Sequence, residues 1–402
     1  MNYDVIVIGG GPAGCETARL IAEKGYKVLV AEEHRKIGEP IQCAGLVSLR
    51  TLKAAALPGG MNISQIHGAY VHSPGGEVLS FRDREAYAFV IDRSEFDRKL
   101  SERAQAAGAE ILTGVRASVG QFFPAEASVK LKSGGGETTV RTRLLIGADG
   151  ANSRVARRIN APVAEDVIRM SAAEVELNCP EKDMVHIFLG RAIAPGWFGW
   201  VIPVDERHAR VGLGVSVRNK HPVSYYFNRM VDAYPGIFKD MNIVRRTGGV
   251  VPIGFLSRIY GEKTLLVGDA ACQTKPISGG GLYLGLLGAK LCAKVAAKAL
   301  SKGNLDPEFL SEYQWLWERE MADEIQTALD HRNIFLTMTD KEMDTLIHFF
   351  RRPLWQGIIS KYGDIDYPSR LAGRLSFAGP WAEKFFMAGF KKIMNYRSAA
   401  RA

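Results

Sequence analysis

The chain has 402 residues, 47% apolar and 24% charged, a balance that fills more than one core and excludes collagenous, low-complexity and disordered chains. Lys and Arg outnumber Asp and Glu by 52 to 43, a net charge of +9, which favours an anionic partner of unspecified kind: nucleotide, lipid or nucleic acid. Five widely spaced cysteines (Cys15, Cys43, Cys179, Cys272, Cys292) include no C-x-x-C pair, so zinc and dithiol sites fall away and a reducing cytoplasm is expected.

The run Tyr3 to Ile8 is apolar and β-branched and reads as a buried parallel strand. Gly9-Gly10-Gly11-Pro12-Ala13-Gly14 follows, then helix formers to Lys24, a stop at Gly25, and a second strand, Lys27 to Ala31, that ends at Glu32. This spacing makes a β-α-β dinucleotide unit. Gly9 allows the tight turn, Gly11 lets backbone N–H groups approach a pyrophosphate, Gly14 lets helix and strand close up, and Glu32 accepts from ribose hydroxyls. Glu33 competes for the last role, but Glu32 closes the strand.

A hairpin is expected near His67 to Phe81. Leu144 to Gly150, followed by Ser153 and Arg157, reads as a strand entering a tight turn. The stretches Ser171–Leu177, Met184–Leu189 and Ala209–Val217 alternate as an antiparallel sheet does. Leu265 to Ala271 is another strand ending in a turn, with Asp269 placed to accept a ribityl hydroxyl. Pro276 to Gly281 then opens a helix over Leu284–Leu300, whose Lys290, Lys294 and Lys298 form one wet face. Bare glycine N–H groups at that helix N-terminus suit the pyrimidine edge of a flavin. Three such strand-turn joints in this order specify FAD over NAD. From Asn304 onward the chain reads as helical, punctuated by Pro307, Pro353, Pro368 and Pro380. No stretch reaches the roughly 18 to 20 apolar residues of a membrane span, and no basic leader precedes the first strand.

Within this pattern, Gly38-Glu39-Pro40-Ile41-Gln42-Cys43-Ala44-Gly45-Leu46 resembles the G-x-P-x-x-C-x-G segment of the geranylgeranyl reductase family, with Gln42 and Ala44 where the family often has Arg and Gly. Asp92-Arg93-Ser94-Glu95-Phe96-Asp97 is similar to the family's arginine-bearing helix start. Phe198-Gly199-Trp200-Val201-Ile202-Pro203, eight residues before Gly212-Leu213-Gly214, is similar to its Y-x-W-x-F-P and G-x-G, with Phe for Tyr and Ile for Phe.

The resemblance covers about residues 1 to 300. It implies an α/β fold with a Rossmann-like FAD domain of the aromatic hydroxylase (monooxygenase-like) type, an antiparallel-sheet substrate domain and a helical C-terminal region. Expected boundaries are 1–65, 92–165 and 250–300 for the first, 66–91 and 166–249 for the second, and 301–402 for the third. To FAD the resemblance assigns Gly9, Gly11, Ala13, Gly14, Glu32, Cys43, Ala44, Leu46, Arg93, Ala117, Asp269, Gly280, Gly281 and Leu282. To the substrate it assigns Phe198, Trp200, Ile202, Pro203, Gly212 and Gly214. Two aromatics two apart on a strand share a face, so Phe198 and Trp200 are either one wall of an apolar slot or core of the sheet.

The activity implied is saturation of isolated C=C bonds in geranylgeranyl chains of a lipid precursor, most simply an archaeal-type ether lipid, by reduced FAD. Such an alkene has no carbonyl to polarise it, so the site needs apolar walls, a tightly placed flavin and a proton source. Cys43 is the candidate donor or gate; a small buried hydrophobe against FAD is the other reading of it. No second strand-glycine-helix unit exists for a pyridine nucleotide, so NAD(P)H bound transiently and a ferredoxin-like donor both stay open. No metal site is expected.

Flavin halogenases share Trp200-Val201-Ile202-Pro203 as W-x-I-P but need a lysine before the substrate sheet, and residues 54 to 98 contain none. An aromatic hydroxylase and a non-enzymatic flavoprotein or lipid carrier are the remaining alternatives. Residues 345 to 402 hold ten Lys or Arg against three Asp or Glu, so +7 of the +9 lies there, among eleven aromatics. The pairs Trp381-Ala382, Phe385-Phe386, Gly389-Phe390 and Ile393-Met394, flanked by Lys384, Lys391 and Lys392, suit either peripheral contact with the inner face of an anionic membrane or a cover over the substrate domain. No nucleic-acid module is present.

Overall fold

The computed structural model describes residues 2–57, 61, 63–367 and 371. An eight-stranded sheet forms around the first dinucleotide strand, Asn2–Ile8, flanked on one side by Gly136–Gly147 and Thr264–Leu266 and on the other by Val28–Glu32 and Glu110–Thr113, all parallel. These strands are apolar on both faces because both faces are covered: Ile6, Val7, Leu29, Leu145 and Ile146 are fully buried. Helices Pro12–Ala22 and Leu282–Lys302 pack on each other, while Lys290, Lys294 and Lys298 face solvent. A hairpin of Arg116–Phe122 and Ala127–Ser133, with no counterpart in the expected elements, extends the long strand Gly136–Gly147.

The second sheet runs in the order Asn242–Ile253, Asp166–Glu176, His208–Ser216, Gly199–Pro203, Met184–Phe188, Gly68–His72, Val78–Arg82. Every pairing is antiparallel except that of Met184–Phe188 with Gly68–His72, which is parallel. Those two strands come from distant parts of the chain and are joined by no hairpin, which leaves the parallel direction open to them. Alternation splits the sheet's two faces cleanly. Val201, Val211 and Leu213 meet Phe188, Phe227 and Met230 beneath helix Val223–Ala233. On the other face Trp200 and Ile202 join Ala69, Val185, Ala88 and Val90, with Ala44, Leu46 and Phe198 against them.

At the hairpin end of this sheet His72 Nε2 lies 3.0 Å from His186 Nδ1, and His72 stacks on Phe188. Burial, with the neighbouring His186, pushes the His72 imidazole down from 6.5 to about 4. Because the unfolded chain takes up that proton first, the contribution of a neutral His72 is complete above about pH 6.5. It is lost as pH falls from there toward about 4, for a total of about 3 kcal/mol. His72→Gln is therefore expected to flatten the acid limb: its urea midpoint should change less than that of the parent between about pH 7 and about pH 5. Equal changes would assign the acid sensitivity elsewhere.

After Leu282–Lys302 the described chain is helical, with Glu312–Thr337, Asp340–Phe350 and Pro353–Tyr362 the main elements. No helix among the described residues is long and apolar enough to cross a membrane. The apolar pairs between Trp381 and Met394 and their lysines lie outside the described residues.

Candidate functional site

The site is assembled where the strand ends of the first sheet meet the slot face of the second. Helix Pro12–Ala22 starts at Gly11 with no side-chain cap and no acid in its first turn, so no side chain of its own first turn competes with an anion for its free N–H groups. Close approach explains the glycines on either side. A Cβ on Gly9 would sit 2.2 Å from the Ala148 carbonyl oxygen, and one on Gly14 would sit 2.1 Å from that of Gly9. Beside Gly11, by contrast, no atom of the described residues lies within 4 Å of where a Cβ would be. That opening, next to bare helix N–H groups, fits a pyrophosphate.

Glu32 is 9% exposed and its Oε2 accepts from Gly10 N at 2.8 Å, while Oε1 accepts from His34 N at 2.9 Å. The carboxylate therefore anchors the glycine turn as well as facing the expected ribose, and its remaining lone pairs leave room for a hydroxyl. Ala117 follows Val115, whose N–H donates to the Glu32 carbonyl at 2.8 Å. Ala13 packs against Gly268 and Gly285, which joins the first turn to Asp269. The Asp269 Oδ1 lies 3.0 Å from where a Cβ of Gly281 would be, against the uncapped N-terminus of helix Leu282–Lys302. No donor among the described residues reaches that carboxylate. Burial pushes its pKa up to about 6, with Arg93 opposing the rise. An enclosed acid lacking a donor is suited to accept a hydroxyl from a ligand, and these residues together fit FAD.

Asp92 caps helix Arg93–Ala106 through Ser94 N and Glu95 N. Arg93 is a forked partner of Asp97, at 2.9 and 3.1 Å; although burial opposes its charge, Asp97 and the adjoining Cys43 hold it protonated. Cys43 thus lies on Arg93, and its Sγ accepts from Gly45 N at 3.3 Å. Gln42, in contrast, is exposed.

The loop carrying Cys43 is fastened by a residue that the sequence reading passed over. Arg210, on His208–Ser216, donates through Nη1 to the carbonyls of Ala44 (2.8 Å) and Ile91 (2.9 Å). Gly45 has φ +72°, and a Cβ there would lie 2.1 Å from that same Nη1. The available signal was periodicity: Arg210 pairs with Ile202 and so shares the face of Trp200, an otherwise apolar face. Thr247 Oγ1 adds a hydrogen bond to the Ile41 carbonyl, 2.6 Å.

Phe198 immediately precedes Gly199–Pro203, and its ring lies 6.1 Å from that of Trp200. Both readings of these aromatics hold in part. Trp200 is 8% exposed and packed into the slot-face cluster, whereas Phe198 is partly exposed and bridges that cluster to the FAD-domain core. Ile202 shares their face, but alternation turns Pro203 to the other side, opposite Ala209. Gly212 and Gly214 are covered by the Trp200 and Trp197 indoles; their contribution is to seat those rings. Trp197, not singled out in the sequence, also packs over Gly279 together with Met170, beside the glycines that open helix Leu282–Lys302. Gly280 lies against the Lys275 side chain.

The FAD binding domain family matches residues 2–316. The chain is 32% identical over 361 residues to digeranylgeranylglycerophospholipid reductase 2 of Methanococcoides burtonii, covering 87% of this chain and 88% of that one. It is 31% identical to the digeranylgeranylglycerophospholipid reductase of Methanocaldococcus jannaschii, covering 86% and 89%. In fold it is similar to a geranylgeranyl bacteriochlorophyll reductase-like protein from Thermoplasma acidophilum, with TM-score 0.82 and 24% identity over 93% of this chain and 98% of that one. A flavin-dependent halogenase is similar at TM-score 0.67 and 18% identity, covering 94% and 78%.

Proposed function

Since the chain belongs to the FAD binding domain family, and within it to the digeranylgeranylglycerophospholipid reductases, we propose that it saturates isolated C=C bonds of geranylgeranyl chains on a membrane-lipid precursor. The observation that carries this reading is the meeting of three parts: an FAD-fitting set of glycines and Asp269, the Cys43 loop on Arg93, and the apolar face of Phe198, Trp200 and Ile202. Reduced FAD, when bound, would supply a hydride, which carries the two electrons and one of the two hydrogens of the reaction.

The protein's own contributions are shape, dryness and a proton. Phe198 and Trp200 exclude water from the alkene, which strengthens the effect of every fixed dipole nearby. Ile202, Ala44 and Leu46 extend the apolar wall along a prenyl chain. Asp269 and the glycine N–H groups hold the cofactor in register. Cys43 is the proton source: its S–H gives a proton to one alkene carbon, and solvent reprotonates the sulfur after product leaves. Arg93 and Gly45 N orient that sulfur. Electrons arrive from a donor that docks transiently, because a single glycine-turn unit is present among the described residues and it fits FAD. Binding at the inner membrane surface supplies the lipid.

Cys43→Ala tests the assignment of the proton. The variant is expected to keep its FAD and to reduce the alkene about 10²- to 10³-fold more slowly in single turnover. Cys43→Ser should recover part of that loss. An unchanged rate in Cys43→Ala would return the residue to a packing role.

A further inference from the structure

The segment 364–367 crosses the slot after the last described helix. Ile365 packs into the same apolar cluster as Phe198, Trp200, Ala44 and Leu46. The residues on either side of it are acidic, and both meet cations. Asp364 accepts from Arg50 Nη1 at 2.8 Å, and Asp366 lies 3.5 Å from the same nitrogen. Lys275 Nζ donates to the Ile365 carbonyl at 2.9 Å and to Asp366 Oδ1 at 3.0 Å. The Asp366 side chain is 0% exposed, yet its Oδ2, the oxygen 3.5 Å from Arg50 Nη1, accepts no hydrogen bond among the described residues. Arg50 also covers the Tyr367 ring, whose hydroxyl meets that of Tyr283 at 3.0 Å.

We propose that Arg50 and Lys275 form a subsite for a phosphate monoester on the substrate, and that the segment 364–367 fills it from within as a strap the substrate displaces. Two carboxylates one residue apart present their oxygens to two cations as a single phosphate group does. The imitation is incomplete, because Asp366 Oδ2 meets the Arg50 guanidinium only at 3.5 Å and makes no hydrogen bond among the described residues. Removing these carboxylates without replacement would strand two cations, a costly state in a closed site; a phosphate arriving with its own charge avoids it. Position supports the exchange. Lys275 packs on Gly280 at the helix opening beside the expected flavin, so a headgroup held there leaves its prenyl chain beside Phe198 and Trp200, in the place Ile365 now takes. A cavity of about 210 Å³, bordered by Lys275, Leu284, Met321, Ile325 and Asp366, adjoins the strap. Glu324 also borders that cavity, which places the phosphate toward Arg50 and Lys275 and away from this acid. The ligand assignment rests on the reductase reading.

Hydrogen exchange of the peptide spanning 353–367 in the FAD-loaded, full-length protein tests the strap. The probes are geranylgeranyl phosphate, geranylgeraniol and inorganic phosphate. Geranylgeranyl phosphate is expected to speed exchange about tenfold, and geranylgeraniol and inorganic phosphate to change it little. The Arg50→Met, Lys275→Met double variant should lose the difference between the phosphate and the alcohol, and Asp366→Asn, a near-isosteric change, should exchange fast without any probe. The same response to phosphate and alcohol, a difference that persists in the double variant, or full opening by inorganic phosphate alone would overturn the proposal. If the strap opens but no double bond is reduced, the strap stands and the reductase reading fails; reduction with an unresponsive strap overturns the strap alone.

Discussion

Gly14→Ala is expected to yield a folded protein that purifies without flavin. In an isolated helix the change would help, because alanine is favoured over glycine by about 1 kcal/mol. Here a methyl group would be placed 2.1 Å from the Gly9 carbonyl oxygen and 3.1 Å from the Ala148 Cβ. The helix Pro12–Ala22 must therefore move off the strand end by roughly 1 Å. That movement turns its first N–H groups away from the opening beside Gly11. FAD affinity should fall on the order of 100-fold, about 2.8 kcal/mol, with far-ultraviolet circular dichroism retained. Flavin absorbance relative to protein, before and after dialysis, reads the outcome. Full flavin occupancy would mean that the glycine turn is not where the pyrophosphate is held.

Arg210→Met is expected to separate alkene reduction from flavin binding. The substitution keeps length and apolar stem but removes the donor shared by the Ala44 and Ile91 carbonyls. Hydrogen bonds of this charged kind contribute about 1.5 to 3 kcal/mol each, and enclosed carbonyls left unpaired add to the loss. The loop 43–45 should loosen, so that Cys43 no longer keeps its place on Arg93. Single-turnover reduction should slow about 100-fold while FAD stays bound, because none of the groups around Gly11 and Asp269 touches Arg210. Arg210→Lys should recover little, since the shorter side chain does not carry its ammonium to the place between the two carbonyls that Nη1 holds. A fall in stability alone, with an undiminished rate, would make Arg210 an ordinary tie between the two sheets.

How much of this was legible in the sequence depended on how local each signal was. The unit Asn2–Glu32, the turn at Asp269 and the helix after Gly281 are each written in one short window, where hydrophobic period and glycine position agree. The slot aromatics were legible as a pair, yet strand period had to be taken one step further to see that Pro203 faces away. The strand Asn242–Ile253 was hidden because Gly248, Gly249 and Pro252 interrupt its β pattern, as residues do where another backbone approaches or a sheet edge is formed. It lies at the edge of its sheet, pairing only with Asp166–Glu176 among the described residues. Arg210 and Lys275 act through contacts 166 and 91 residues away in the chain. No local pattern encodes such partners; only the folded arrangement gives those charges a purpose.

The reductase reaction requires that enzyme-bound reduced flavin be consumed by an isolated alkene. Its most direct test is anaerobic mixing of photoreduced holoenzyme with a geranylgeranyl lipid, following flavin absorbance and lipid mass together. Flavin is expected to reoxidise only when the lipid is added, with one double bond lost and two hydrogens gained for each flavin reoxidised. Flavin that stays reduced until oxygen is admitted, with a hydroxylated product or none, would contradict it.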